Sequence, residues 1–287
     1  MRFEFIQAHR DEFSMAAITR VLKVSRSGFY YWLKCTNNPS PRQQARADRD
    51  KKVLERFHES KERYGARRIQ KDLASANADH DIKTICSSMA RQNLKAKAAK
   101  RFKVTTDSNH KLPVAPNLLD RNFTAESANR KWAGDITYLD TSEGWLYSAL
   151  IIDLHSWAVI GWSISERMQA SLVCNALKGA LLRRGFPGQV IVHSDRGSQY
   201  CSNDYRDLLS KYSHQQSMSR KGNCWDNACV ESFFHSLKVE AIHGEPIMSR
   251  ALMRQQVFEY IEVDYNRKRR HSALGYLSPE EFEKVTA

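Results

Sequence analysis

The rhythm of apolar residues changes at Lys131, and that change limits what the chain can fold into. Before it, apolar side chains recur at helical spacing. After it come three strand-like runs (131–139, 145–154 and 157–164), the first two separated by a turn at 140–144. Residues 170–184 then read as a helix with Leu172, Val173, Ala176, Leu177, Ala180 and Leu181 on one face. A short buried strand at 189–193, a helix at 203–212, a fifth strand at 214–218, an amphipathic helix at 227–241 and a long helix from Arg250 to about Arg267 follow. Strands joined by tight turns pair antiparallel, whereas strands separated by helices need crossovers and pair in parallel. The order predicts an α/β unit with a mixed five-stranded sheet.

Upstream, the chain reads as all-α. Met15, Ile18, Val21 and Leu22 mark one short helix, and Ser25 can cap a second carrying Phe29, Tyr30, Trp32 and Leu33. This is a helix-turn-helix shape over residues 14–34, and it puts Arg26 and Ser27 at the start of the second helix, where such units reach DNA. Residues 36–46, with two prolines and no periodicity, read as a linker. A second helical unit spans 47–92, with Arg67 and Arg68 where a turn becomes a helix, and Arg91, Lys95, Lys97, Lys100, Arg101 and Lys103 run basic into a linker over 93–125. The expected division is a basic DNA-binding region over 1–125 and a catalytic core with a C-terminal helical extension over 126–287.

Charge supports that division. The net charge is +13, yet residues 1–130 hold 27 Lys and Arg against 14 Asp and Glu, while the remainder holds 18 of each. The whole excess lies upstream, as on a surface that attracts a polyanion and releases it as salt rises. A hydrophobic fraction of 41% and a charged fraction of 27% belong to a globular chain. No apolar run reaches the length of a membrane span, the N-terminus has no apolar signal region, and six scattered cysteines are expected as free thiols in a reducing cytoplasm.

Three acids stand out. Asp135 interrupts the first strand between Trp132-Ala133 and Ile136-Tyr138, and a carboxylate buried there needs a partner or a metal. Asp195 follows the strand at 189–193 in a Ser-Asp-Arg-Gly-Ser turn; its plainer reading is an aspartate bonded to nearby amides. Glu231 shares the polar face of its helix with His235 and Lys238, opposite the stripe Val230, Phe233, Phe234 and Leu237. Between the first two acids lie 59 residues, and between the second and third 35. Converging carboxylates suit two Mg²⁺ ions about 3.5–4 Å apart, which activate a water or 3′-hydroxyl and stabilise the leaving oxygen of a phosphodiester. On this reading Asp135, Asp195 and Glu231 are both the catalytic residues and the metal ligands.

The element order is that of RNase H-like folds, and the motifs are more specific still. Residues 132–138 (WAGDITY), 193–200 (HSDRGSQY), Ser217-Met218-Ser219, Asn227-Ala228, Glu231-Ser232-Phe233-Phe234, Leu237-Lys238, Tyr265-Asn266, His271, Leu274-Gly275-Tyr276, Ser278-Pro279 and Phe282 resemble the OrfB transposases of the frameshifting insertion sequences, the family numbered three, which are relatives of retroviral integrases. Residues 64–69 (YGARRI) and 25–30 (SRSGFY) extend the resemblance over most of the chain. It implies a DDE recombinase that nicks element ends and joins a 3′-hydroxyl to a target strand, using Mg²⁺ with Mn²⁺ as a substitute. It further implies that Lys238 contacts DNA near the reacting phosphate, and that the protein works as a homo-oligomer on double-stranded DNA in the bacterial cytoplasm, at the nucleoid. A shorter partner, OrfA, read from an upstream frame and often fused to OrfB, is implied as well. Residues 84–90 depart from the pattern by lacking the basic side chains usual in the second helix-turn-helix.

Other residues have plainer readings. Asp153 belongs to a turn or local pair, and Asp226 favours the N-terminus of the Glu231 helix. Cys224, Cys229 and His235 form too weak a set for zinc. The cluster Arg267, Lys268, Arg269, Arg270 and His271 suits phosphate contact or a solvated helix end equally. Trp225 and Tyr200 lie near the acids, where aromatics pack or stack on a base; for Trp225 packing is expected. Two other functions fit parts of the pattern: a catalytically inactive DNA-binding regulator of transposition, and an RNase H-like nuclease acting on RNA.

Overall fold

The computed structural model describes residues 2–97, 113–221 and 223–286. The chain divides into two compact units, residues 1–96 and 97–287.

In the first unit, α1 (Arg2–His9), α2 (Met15–Val21) and α3 (Arg26–Asn37) close over Ile6, Ile18 and Phe29. The Ser14 and Ser25 hydroxyls accept the Ala17 and Gly28 amides and so start α2 and α3. The helix α4 (Pro41–Glu59) begins inside the stretch read as a linker. The reason is a reciprocal cap: Ser40 Oγ accepts the Gln43 amide and the Gln43 side chain accepts the Ser40 amide, with Pro41 in the first turn. Against α4 pack α5 (Ala66–Ser75) and α6 (Ile82–Arg91), burying Val53, Phe57, Ile69, Leu73 and Ile85. Asp50 on α4 holds Ser88 and Arg91 on α6. Lys100, Arg101 and Lys103 of the basic run lie outside the described residues.

The second unit has the expected α/β, RNase H-like architecture. Strands β1 (Lys131–Leu139), β2 (Leu146–Asp153) and β3 (Val159–Ser165) form an antiparallel meander. From β3 the helix α7 (Ala170–Arg183) crosses to β4 (Ile191–Ser194), and α8 (Asn203–Lys211) crosses to β5 (Gln215–Met218). The sheet order is β3-β2-β1-β4-β5, with β4 parallel to both β1 and β5. One sheet face buries Trp132, Ala149, Ile151 and Ile160 beneath α7 and α8. The other buries Ala133, Leu139, Leu150 and Ile152 beneath α9 (Ala228–Leu237) and α10 (Arg250–Phe258). The α7 contact is very close at Gly161, where an added Cβ would lie 2.2 Å from the Ala176 carbonyl and 2.5 Å from the Ala180 amide.

Two helices change pitch. Widened turns at Lys238–Ile242 and Glu259–Tyr265 continue α9 and α10. Between them Glu240 and Arg269 are buried as a bidentate pair that also engages Tyr260 and Ser236. Arg267 bonds Glu280 at 3.3 Å, and His271 stacks on Trp157. Within that basic cluster Arg269 is thus a structural joint, while Arg267 and Lys268 are exposed. A last helix, α11 (Pro279–Thr286), sends Glu283 to Arg184 and Ser156. Residues 113–119 run along β5, where the Leu118 amide meets Ser217 Oγ and Leu119 enters the core. Among the described residues no helix is long and apolar enough to cross a membrane.

Candidate active site

The sheet itself creates the site. β1 pairs with β4 only from Lys131 to Ala133, with Ala133 opposite His193. Two residues further on along each chain come Asp135, still on β1, and Asp195, in the turn that follows β4. Beyond that point β1 leads to β2 on one flank, while β4 leads through α8 to β5 on the other. Ligand crevices open where neighbouring strands part in this way, at their carboxyl ends.

Alternation puts Asp135 on the face covered by α9, since Ala133 and Leu139 lie in the core beneath that helix. Asp135 is half-buried, and its Oδ1 accepts the Ile136 amide at 2.8 Å. Its carboxyl is held well above the usual carboxylate range, first by desolvation, then by the negative charge of Asp195 and, more weakly, by Glu231; Lys238 acts the other way. Asp195 Oδ1 accepts the Gly197 amide at 2.9 Å, so it also orders its own turn. Glu231 is exposed on α9, with its carboxyl raised by partial burial. Lys238 follows α9 directly; burial lowers its ammonium and Asp135 opposes that effect.

The acids are close enough to feel one another, yet they form an open set. Among the described residues no group of three or more His, Cys, Asp and Glu side chains is gathered tightly enough to hold a metal ion. The donor chemistry nevertheless suits a hard divalent cation. Such an ion is commonly held by one or two carboxylates plus substrate phosphate and water, rather than by an all-protein cage.

Several neighbours have contacts that the sequence reading did not assign them. Asn227 is buried and its amide donates to the Gly134 carbonyl at 3.4 Å, tying the start of α9 to β1. Asp226 is fully buried, and its carboxyl lies far below the usual range because Arg220 grips it with side chain and backbone, joined by Arg121. Asn117 adds a bond at 3.1 Å. Its position before the helix therefore serves an ion-pair network more than a helix dipole. Tyr138 feels both Asp135 and Asp195 from the open edge of β1. His193, bonded to Ser217 at 2.8 Å, is buried and pushed down to about 4 by desolvation, so it sits neutral behind the site.

The remaining predicted residues divide. Tyr200 is buried and packs edge-on against Tyr205. Trp225 is not packed: it is 68% exposed. His235 is exposed on α9. In the first unit, Arg26 and Ser27 are exposed at the start of α3 and Arg67 is exposed on α5, while the Arg68 guanidinium lies over the Tyr64 ring at 5.5 Å. Asp153 is fully buried and accepts the Asn129 and His155 amides, a local structural role.

Two family models described as integrase core domain match residues 125–224 and 231–286. Transposase InsF for insertion sequence IS3A of Escherichia coli (strain K12) is 55% identical over 99% of this chain and 98% of its own length. The insertion element IS600 uncharacterized 31 kDa protein of Shigella sonnei is 41% identical, over 92% of this chain and 97% of its own. A chain of the simian T-cell lymphotropic virus intasome in complex with PP2A regulatory subunit B56 gamma is similar at 13% identity and a TM-score of 0.45, over 75% of this chain and 70% of that one. By near-full-length identity to InsF, and with matches to the integrase core domain over 125–224 and 231–286, this chain belongs to the transposases of the IS3 insertion-sequence family.

Proposed function

We propose that the protein nicks the ends of its insertion sequence and joins the freed 3′-hydroxyl to a target strand, with Asp135, Asp195 and Glu231 as the catalytic acids. The supporting observation is that the charges of Asp195, Glu231 and Lys238 all act on Asp135, just past the point where β1 and β4 part. Asp135 and Asp195 would hold a divalent cation, Mg²⁺ or in its place Mn²⁺, and Glu231 would complete a second site. When bound, such ions lower the nucleophile's pKa and neutralise charge on the phosphate.

The chain's own residues do the rest. Asp135 resists ionising beside Asp195, so the site attracts positive charge strongly once Asp135 is ionised. Lys238 offers an ammonium beside Asp135, where it can meet a non-bridging phosphate oxygen. Asn227 and the Asp226 network keep α9, and therefore Glu231, against β1. Arg26, Ser27, Arg67 and Arg68 in the first unit recognise duplex DNA; His235 extends the DNA surface along α9. On the family resemblance, the protein acts as a homo-oligomer, with an OrfA product as partner or fusion.

The test is divalent-dependent nicking of a duplex carrying an element end. Wild type nicks it, Asp195→Asn lowers the rate by at least about a hundredfold, in keeping with loss of a group that stabilises developing charge, and an RNA–DNA hybrid is a poor substitute. Equal nicking by both proteins would remove the acids from catalysis.

A further inference from the structure

Trp225 presents a large apolar ring to solvent at a place where the backbone is fixed. It is 68% exposed, whereas tryptophan is ordinarily well buried. The next residue, Asp226, is 0% exposed and is held by Arg220 at 2.8 and 2.9 Å, by Arg121 at 3.0 Å and by Asn117 at 3.1 Å. The residue after that, Asn227, is buried with its amide on Gly134, the neighbour of Asp135. A pinned backbone thus carries an outward indole, two positions from a group that touches the strand of the first catalytic acid and six before Glu231.

The surroundings indicate what meets that ring. Arg121 and Arg220 are about half exposed although both engage Asp226 and Arg220 also meets the exposed Asp120 at 3.3 Å, and Lys221 is exposed beside them, so cations outnumber acids three to two. Trp225 belongs to none of the unit's apolar clusters, so it offers a single flat face in a basic, polar setting rather than a patch for another protein. A basic track with an aromatic face is how proteins hold unpaired nucleic-acid strands, the cations on phosphates and the ring on a base. We propose that Trp225 is a stacking platform for one nucleobase of the DNA strand whose phosphate lies at Asp135 and Asp195. The proposal rests on the function proposed above and adds to it a defined subsite for an unstacked base beside the reacting bond.

The experiment uses the full chain and a duplex with a few unpaired nucleotides at its end, carrying 2-aminopurine at successive positions. With Ca²⁺ present, wild type and Trp225→Phe quench the probe at one position, and Trp225→Ala leaves it bright. In Mg²⁺, Trp225→Ala nicks about ten- to a hundredfold more slowly, the range expected for one base–aromatic stack, and Trp225→Phe largely restores the rate. The loss vanishes when the quenched nucleotide is made abasic. Because the ring is exposed, Trp225→Ala keeps the circular dichroism and thermal midpoint of wild type. Unchanged quenching in Trp225→Ala would overturn the proposal, as would an equal loss on the abasic duplex. So would a change of oligomeric state without DNA, which would assign the ring to a second copy of the chain. The quenching does not depend on chemistry. If Asp195→Asn nicked like wild type, the proposed function would fail while the stacking readout still stood on its own.

Discussion

Asp135 and Asp195 lie just past a parallel pairing three residues long, and the charge of Asp195 acts on Asp135. Neither acid alone would be notable: Asp195 orders its own turn, and Asp135 is one carboxyl in an apolar strand. Their proximity raises the carboxyl of Asp135, and Lys238 moderates that effect. The ammonium favours the ionised form of Asp135, so removing it pushes that carboxyl still higher. In the metal-free protein, Lys238→Met is therefore expected to raise the pH at which Asp135 ionises. The measurement is the pH titration of the Asp135 carboxyl signal by NMR without divalent ions; an unmoved titration would remove Lys238 from the electrostatics of that acid.

At the scale of elements, the helix α7 lies against β3 as closely as it does because residue 161 has no side chain. Gly161→Ala would drive a methyl into the Ala176 carbonyl and the Ala180 amide, and overpacking of this kind costs about 1–3 kcal/mol or more; urea unfolding would read it. The strand β4 carries a second signature. Folded His193 ionises near pH 4 and an unfolded histidine near 6.5, so between those values the unfolded chain binds more protons and stability falls as pH falls. The loss approaches about 3 kcal/mol at the acid end of that window. His193→Asn should flatten the slope of thermal midpoint against pH over that range. Strands and crossovers were legible because period-two runs and tight turns are local signals, and Asp135 stood out because it interrupts an apolar strand. The start of α4 was missed because polar composition hid a reciprocal cap at Ser40 and Gln43. The widened turns at Lys238–Ile242 and Glu259–Tyr265 leave no mark in apolar spacing. Arg269 and Trp225 misled for one reason: whether a cation is buried or an indole exposed is decided by partners distant in sequence, here Glu240 for the one and the Asp226 network for the other.

At the scale of the molecule, charge is divided: the +13 excess falls within residues 1–130 and the remainder is balanced. Non-specific duplex binding is thus expected to reside upstream. If six to ten phosphates are contacted, affinity should drop about 10³- to 10⁵-fold between 50 and 200 mM salt, and a chain of residues 113–287 should lose most of that dependence; titrations of a labelled duplex at several salt concentrations decide it. The last helix has a consequence for biosynthesis. Glu283 bonds Arg184, 99 residues earlier, and Arg184 in turn lies beside the buried Asp153. At translation speeds of about 5–20 residues per second, the ribosome needs roughly 5–20 s to make the second partner after the first. During that interval Arg184 has Asp153 as its one acidic partner in this joint, which gains its second carboxylate when α11 leaves the exit tunnel.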